Sequence, residues 1–210
     1  MNEAVYFLEK YRGMKIEAMQ DQSPEDPRWC NNFGNMICFH KRYELGDVHS
    51  MTIEELQEEV NRQDTIALPI FMLDHSGVTI GTSPFGCPWD SGQLGYIYVT
   101  HDEIKRELRV EEVTPQIEAQ VVRMLESIIR EYDYFVRGEI WLVWAEDENG
   151  EHFQPHLTNV GPVGDDALAE ARAIIDDELR MREERRQARL KTLVKNRVPL
   201  WKRQELMASA

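Results

Sequence analysis

The chain has 210 residues, with 38 Asp or Glu against 24 Lys or Arg for a formal net charge of −14, 42% hydrophobic residues and only three cysteines. That balance is ordinary for a globular protein in water. It excludes a low-complexity chain, a disulfide-dense scaffold and a membrane span, since no run approaches the roughly 20 apolar residues that crossing a bilayer needs.

Cys30, Cys38 and Cys87 lack C-x-x-C spacing, so they read as reduced thiols, with Cys38 in the run MICF a small buried hydrophobe. The start MNEAVYFLEK carries Glu3 and Glu9 and no basic leader, so a cytoplasmic protein is expected. Charge is unevenly placed. Between Arg180 and Arg203, ten Lys or Arg face only Glu183 and Glu184, a balance of +8 that leaves −22 on the rest. An acidic body of that kind repels nucleic acid and favours basic partners, while the tail suits something acidic, another copy of the chain included.

In chain order, Met14 to Gln20 alternates as a strand, Asp21 to Asn35 is a loop, and Met36 to Phe39 with His40 to Tyr43 reads as a strand leaving the core. Thr52 and Glu55 form a capping box for a helix ending near Arg62, with Ile53, Leu56 and Val60 its buried stripe. Thr65 to Leu73 is a strand that Pro69 leaves unpaired on one side. His75-Ser76-Gly77 then turns into a second strand, Val78 to Thr82. Leu94 to Thr100 is another strand, and Thr100 with Glu103 caps a short helix to Leu108. Thr114-Pro115 opens the best-defined helix, with Ile117, Val121, Leu125, Ile128, Ile129, Tyr132 and Phe135 at helical spacing before Gly138. Glu139 to Ala145 and Glu151 to Leu157 flank the turn pair Asn149-Gly150. From Asp165 a helix buries Leu168, Ala171, Ile175 and Leu179. Beyond Leu179 it is charged and solvated, and Leu193, Val194, Val198, Leu200 and Trp201 make a small apolar patch further on.

Chemistry-bearing residues gather between Leu68 and Thr100. Asp74-His75-Ser76 suggests a triad, but neighbours on a strand end point to opposite faces, so a turn with Asp74 or Ser76 capping amides and Gly77 at positive φ is the plainer reading. Cys87 to Gly92 offers a thiol, Trp89, Asp90 and Ser91. A cysteine nucleophile there would need a base from His40, His75 or His101; the competing reading has Trp89 plug the core while Asp90 and Ser91 satisfy buried amides. Asp74, His75, Asp90 and His101 are chemically fit for a divalent ion, yet no H-x-x-x-H pair falls on one helix face: His152 and His156, four apart, sit on an expected strand or loop. No metal is expected. The glycines match neither phosphate-binding fingerprint, so no nucleotide cofactor is expected either.

The blocks PRWCNNFGNMICFHKRYELGD (Pro27 to Asp47), LPIFMLDHSG and PFGCPWDSGQLGYIYV, with Glu131 to Glu139, resemble a family of uncharacterised proteins encoded by bacteriophages, plasmids and integrative elements. The likeness spans about Pro27 to Ala173. It departs at Asn159 to Gly164, where relatives often carry Cys-Trp-Gly-Phe-Tyr-Gly. The resemblance implies a mobile-element setting, in which small acidic proteins often block host defence systems.

These readings combine into an α+β fold, a mixed mostly antiparallel sheet with packed helices and a long basic C-terminal helix. Residues 1–179 form an acidic globular domain and 180–210 a basic helical extension. The leading functional expectation is a non-enzymatic accessory protein binding a host protein, such as a nucleic-acid-binding defence component, with contacts at Trp89, Asp90, Ser91, Arg185, Arg186 and Trp201. Two readings stand beside it: a hydrolase pocket of Asp74, His75, Cys87 and Asp90 with or without a metal, and direct nucleic-acid binding by the tail. No membrane role is expected, and a homo-oligomer stays open.

Overall fold

The computed structural model describes residues 4–30 and 33–208. The side chains of Cys30 and His156, both singled out above, lie outside what it describes. In chain order the strands are β1 (Tyr6–Tyr11), β2 (Met14–Gln20), β3 (Asn35–Cys38), β4 (Thr65–Asp74), β5 (Val78–Gly81), β6 (Ser91–Thr100), β7 (Ile140–Glu146) and β8 (His152–Val160). The helices are α1 (Pro27–Cys30), α2 (Ile53–Val60), α3 (His101–Leu108), α4 (Pro115–Val136), α5 (Asp165–Lys195) and α6 (Leu200–Ala208).

The α+β class holds, but the single mixed sheet does not: the strands divide between two four-stranded antiparallel sheets, ordered β1-β2-β7-β8 and β3-β6-β4-β5. Each sheet belongs to its own compact unit. A terminal unit is built from the two chain ends, Met1–Gln20 and Trp141–Ala210, and an inserted unit from Asp21–Ile140. The position after Leu179, where an extension was expected to begin, falls inside the continuous helix α5.

In the terminal unit, β2 turns Met14, Ile16 and Ala18 inward and Lys15 and Glu17 outward, the period-2 pattern of a half-buried strand. These side chains pack with Val143 and Ala145 of β7 against Ala171 and Ile175 of α5. Tyr11 donates to Asp176 at 3.1 Å, and Arg172 grips Glu9 through two 2.6 Å hydrogen bonds. From Arg180 to Thr192 every residue of α5 is exposed. That stretch draws on local pairs instead of burial, such as Arg182 to Glu178 one turn earlier at 3.0 Å.

In the inserted unit, α4 packs on β4 and β5, its Val121, Leu125, Ile128, Ile129 and Tyr132 sealing a core with Met36, Ile70, Ile80 and Ile97. Burying each such side chain stabilises by about 1.5–3 kcal/mol. Thr114 Oγ1 accepts from Ile117 N at 3.4 Å with Pro115 in the first turn, and both expected capping boxes, on α2 and α3, are formed. As expected, β4 pairs with β6 through Pro69 while β5, ending at Gly81 opposite Phe71, does not reach Pro69 on the other side. Two local expectations are corrected. His40 to Tyr43 are irregular, because the chain swings off the sheet edge there, and Ile53 stays 52% exposed at the first position of α2.

Several residues of the familiar-looking blocks turn out to be structural. Arg28, 5% exposed, donates through Nε and Nη2 to the two oxygens of Asp47 at 2.8 Å each and to Gly34 O at 2.8 Å. Asp47 in turn accepts from Met36 N at 2.7 Å. Gly46 adopts φ +75°, a Cβ there would sit 2.5 Å from Met36 O, and its N–H donates to Tyr132 Oη at 2.8 Å. Buried Asp133 accepts from Ile80 N at 2.8 Å, tying α4 to β5. The two ends of the inserted unit meet where Asp21 N donates to Ile140 O at 2.8 Å.

Candidate functional site

The hairpin β4–β5 and the loop leading into β6 converge at one end of the inserted sheet. Asp74 N donates to Asp90 O at 2.7 Å, extending the β4–β6 ladder into the Cys-Pro-Trp-Asp loop. Ser91 Oγ donates back to Cys87 O, closing that loop on itself. In the hairpin turn, Ser76 takes φ +59° and His75 N donates to Gly77 O at 3.1 Å. Gly77 takes the expected positive φ, +153°, and Ser76 before it takes one as well.

Beside this loop lies a cavity of about 280 Å³, lined by His40, Arg42, Asp74, Trp89, Asp90 and Gln93 over a floor that includes Met72 and Leu94. Arg42 forms an ion pair with Asp74, whose other oxygen accepts from Tyr43 Oη at 3.4 Å. Asp74 therefore serves the cavity wall and does not cap the turn as its position suggested. His40 stacks on Tyr43 with ring centroids 5.0 Å apart, and its Nδ1 faces the amides of Arg42 and Tyr43 at 3.3 Å each. Nδ1 therefore accepts, which leaves the proton on Nε2 in the neutral ring.

Asp90 Oδ2 meets His75 Nδ1 at 3.0 Å and Cys87 Sγ at 3.6 Å. The sequence candidates His75, Cys87 and Asp90 are thus brought together, while Asp74 is held apart by Arg42 and the His101 side chain lies 3.8 Å from Glu118, outside the cluster. The carboxylate stands between imidazole and thiol. A thiolate is made reactive by a neighbouring cation, whereas the group facing Cys87 Sγ is an anion. Among the described residues, no group of three or more His, Cys, Asp or Glu is arranged to hold a metal ion.

Trp89 overturns the plug reading: it is 91% exposed. The Asp90 and Ser91 contacts hold the loop, and the indole between Pro88 and Asp90 lies in solvent at the cavity rim. Asp90 pairs with His75 and Cys87 instead of a buried amide. Neither a family model, nor a curated protein, nor a solved structure matches this chain.

Charge segregates with the units. The inserted unit holds 22 Asp or Glu against 10 Lys or Arg, a balance of −12, and the terminal unit only −2. His40, named above as a possible base for the Cys87 loop, does line the cavity, whereas Arg42 was missed because the segment His40 to Tyr43 reads as a strand and its partner Asp74 is distant in sequence. Of the other expected contacts, Arg185 and Arg186 lie on α5 and Trp201 is 67% exposed on α6.

Proposed function

We propose that this protein is a non-enzymatic accessory protein of a mobile genetic element that binds a host protein and thereby inhibits a bacterial defence component. In this reading the Trp89–Asp90 loop receives a cationic side chain of that partner. The observation that carries it is the indole of Trp89, almost wholly exposed on a hydrogen-bonded loop, beside a carboxylate and a small cavity. An exposed indole next to an acid suits an arginine or lysine, which gains up to about 2 kcal/mol over an aromatic face once desolvated. The −12 balance of the same unit draws a basic surface toward it and speeds encounter. The mobile-element setting is supported by the resemblance of the DHSG and CPWDSGQ blocks.

The test is capture of the partner from a plasmid- or phage-bearing host, followed by binding measurements on variants. Trp89→Ala is expected to weaken binding by about 30-fold or more, as loss of a central interface aromatic does. Asp90→Asn should slow association and flatten its salt dependence. A captured partner that binds Trp89→Ala as tightly as the parent, at rates indifferent to salt, refutes the reading.

One observation favours a second reading, a hydrolase: His75 and Cys87 both converge on Asp90. It predicts turnover of an ester, amide or phosphoester that Cys87→Ala abolishes, and such turnover would displace the binding reading.

A further inference from the structure

On the terminal unit, Arg182, Arg185, Arg186 and Arg189 stand at i, i+3, i+4 and i+7 along α5 and so share one helix face. With Glu151, Glu178 and Met207 of α6 they line a groove of about 490 Å³. Glu178 is shared between Arg182 at 3.0 Å and Arg185 at 2.8 Å, and Glu183 lies 3.7 Å from Arg186. Arg189 has no ion-pair partner among the described residues. Four guanidiniums thus line the groove with the carboxylates of Glu151 and Glu178, a positive balance, and the Arg189 fork can take a further acid in bidentate fashion. The same two helices carry exposed apolar side chains, Leu190 and Val194 on α5 and Leu200 and Trp201 on α6.

Arginine mixed with exposed Leu, Val and Trp is the composition of a protein-docking surface; a single-stranded nucleic-acid track would call for stacking aromatics, and Trp201 stands alone in that role. A complementary face exists in the same sequence. Helix α2 presents Ile53, Glu54, Gln57 and Glu58 to solvent, two acids one turn apart beside an exposed apolar residue. Arg182 with Arg186, and Arg185 with Arg189, repeat at the same one-turn spacing.

We infer that the arginine face of α5 docks helix α2 of a second copy of this chain, Glu54 and Glu58 meeting the guanidiniums and Ile53 covering apolar surface of the same two helices. Net charge does not forbid the pairing. At physiological salt, screening beyond about 8 Å leaves the local contact to decide over the like charge of the two molecules.

The experiment is sedimentation velocity on the full chain over a range of concentrations, with paired charge reversals. The parent is expected to associate with rising concentration. Arg185→Glu/Arg186→Glu and Glu54→Lys/Glu58→Lys should each weaken self-association at least 10-fold while circular dichroism shows the helices intact. An equimolar mixture of the two variants, and a chain carrying all four changes, should recover it. A parent that stays monomeric, reversed variants that assemble like the parent, or a mixture that fails to recover each overturn the inference. A monomeric parent whose α5 arginines instead retain a labelled oligonucleotide would assign the groove to nucleic acid and overturn it equally.

Discussion

Replacing Arg28 with Met keeps much of the side chain's apolar bulk and removes every hydrogen bond its guanidinium donates. Asp47 then loses two 2.8 Å partners, and the carbonyl of Gly34 loses its own. Leaving one half of a buried pair alone costs about 3–5 kcal/mol. Asp47 is 26% exposed and keeps the Met36 amide, so the low end, about 3 kcal/mol, is expected. In a urea titration followed by circular dichroism, with a slope of about 1–3 kcal/mol/M, the midpoint of the affected transition should fall by about 1–3 M. Neutralising the orphan in the same chain, Arg28→Met/Asp47→Asn, should restore part of that loss, with a coupling above about 1 kcal/mol in the double-mutant cycle. Amides between His40 and Asp47 should exchange faster in the single variant, since this pair anchors the cavity wall that carries His40 and Arg42. If Arg28→Met unfolds within about 0.5 kcal/mol of the parent, the pair is not the anchor described.

Three further outcomes are expected. Gly95→Ala places a Cβ 1.9 Å from Ile37 O across the β3–β6 ladder, so thermal unfolding should show a loss of about 1–3 kcal/mol or more, and an unchanged melting temperature would contradict the pairing. In a Cys30→Ser background, a thiol reagent at neutral pH should label half-buried Cys87 and spare Cys38, whose thiol is pushed up to about 12 by burial; equal labelling in peptide mass spectra would refute this. Burial likewise pushes the Tyr132 hydroxyl up to about 12, above the usual value near 10, so its contribution is fully present below about pH 10 and is lost as pH rises toward 12. Tyr132→Phe should therefore show a shallower fall in urea midpoint across that window, and parallel curves would remove the assignment.

Local signals were readable in several segments that contain both partners, although β1, the hairpin partner of β2, was not among them. Thr114-Pro115, the Thr52–Glu55 and Thr100–Glu103 boxes and the alternation of Met14 to Gln20 all became the elements they announced. The division into two sheets was not readable, because β2 takes β7 as its partner, with Gln20 opposite Trp141, 121 positions away. Nothing in either strand's own pattern names the other. The site shows the same limit. Crowded reactive residues did mark the place where His75, Cys87 and Asp90 meet, but a large aromatic within a loop carries no sign of which way its ring faces, and Trp89 faces solvent. Asp74 was read as a turn residue because its ion-pair partner, Arg42, lies 32 positions upstream.

The hydrogen bond between Asp21 and Ile140 bears on the order in which the chain can assemble. β2 leaves the ribosome long before β7, so the terminal sheet must wait with half its strands missing while the inserted unit is made. Closing a disordered loop of some 120 residues costs about 4 kcal/mol in chain entropy, growing only slowly with length. Once the inserted unit has folded, its ends are already clasped, and the two distant strands are handed to each other as though a short turn joined them. Damage to the insert's own core would therefore surface as a failure of the outer sheet to close.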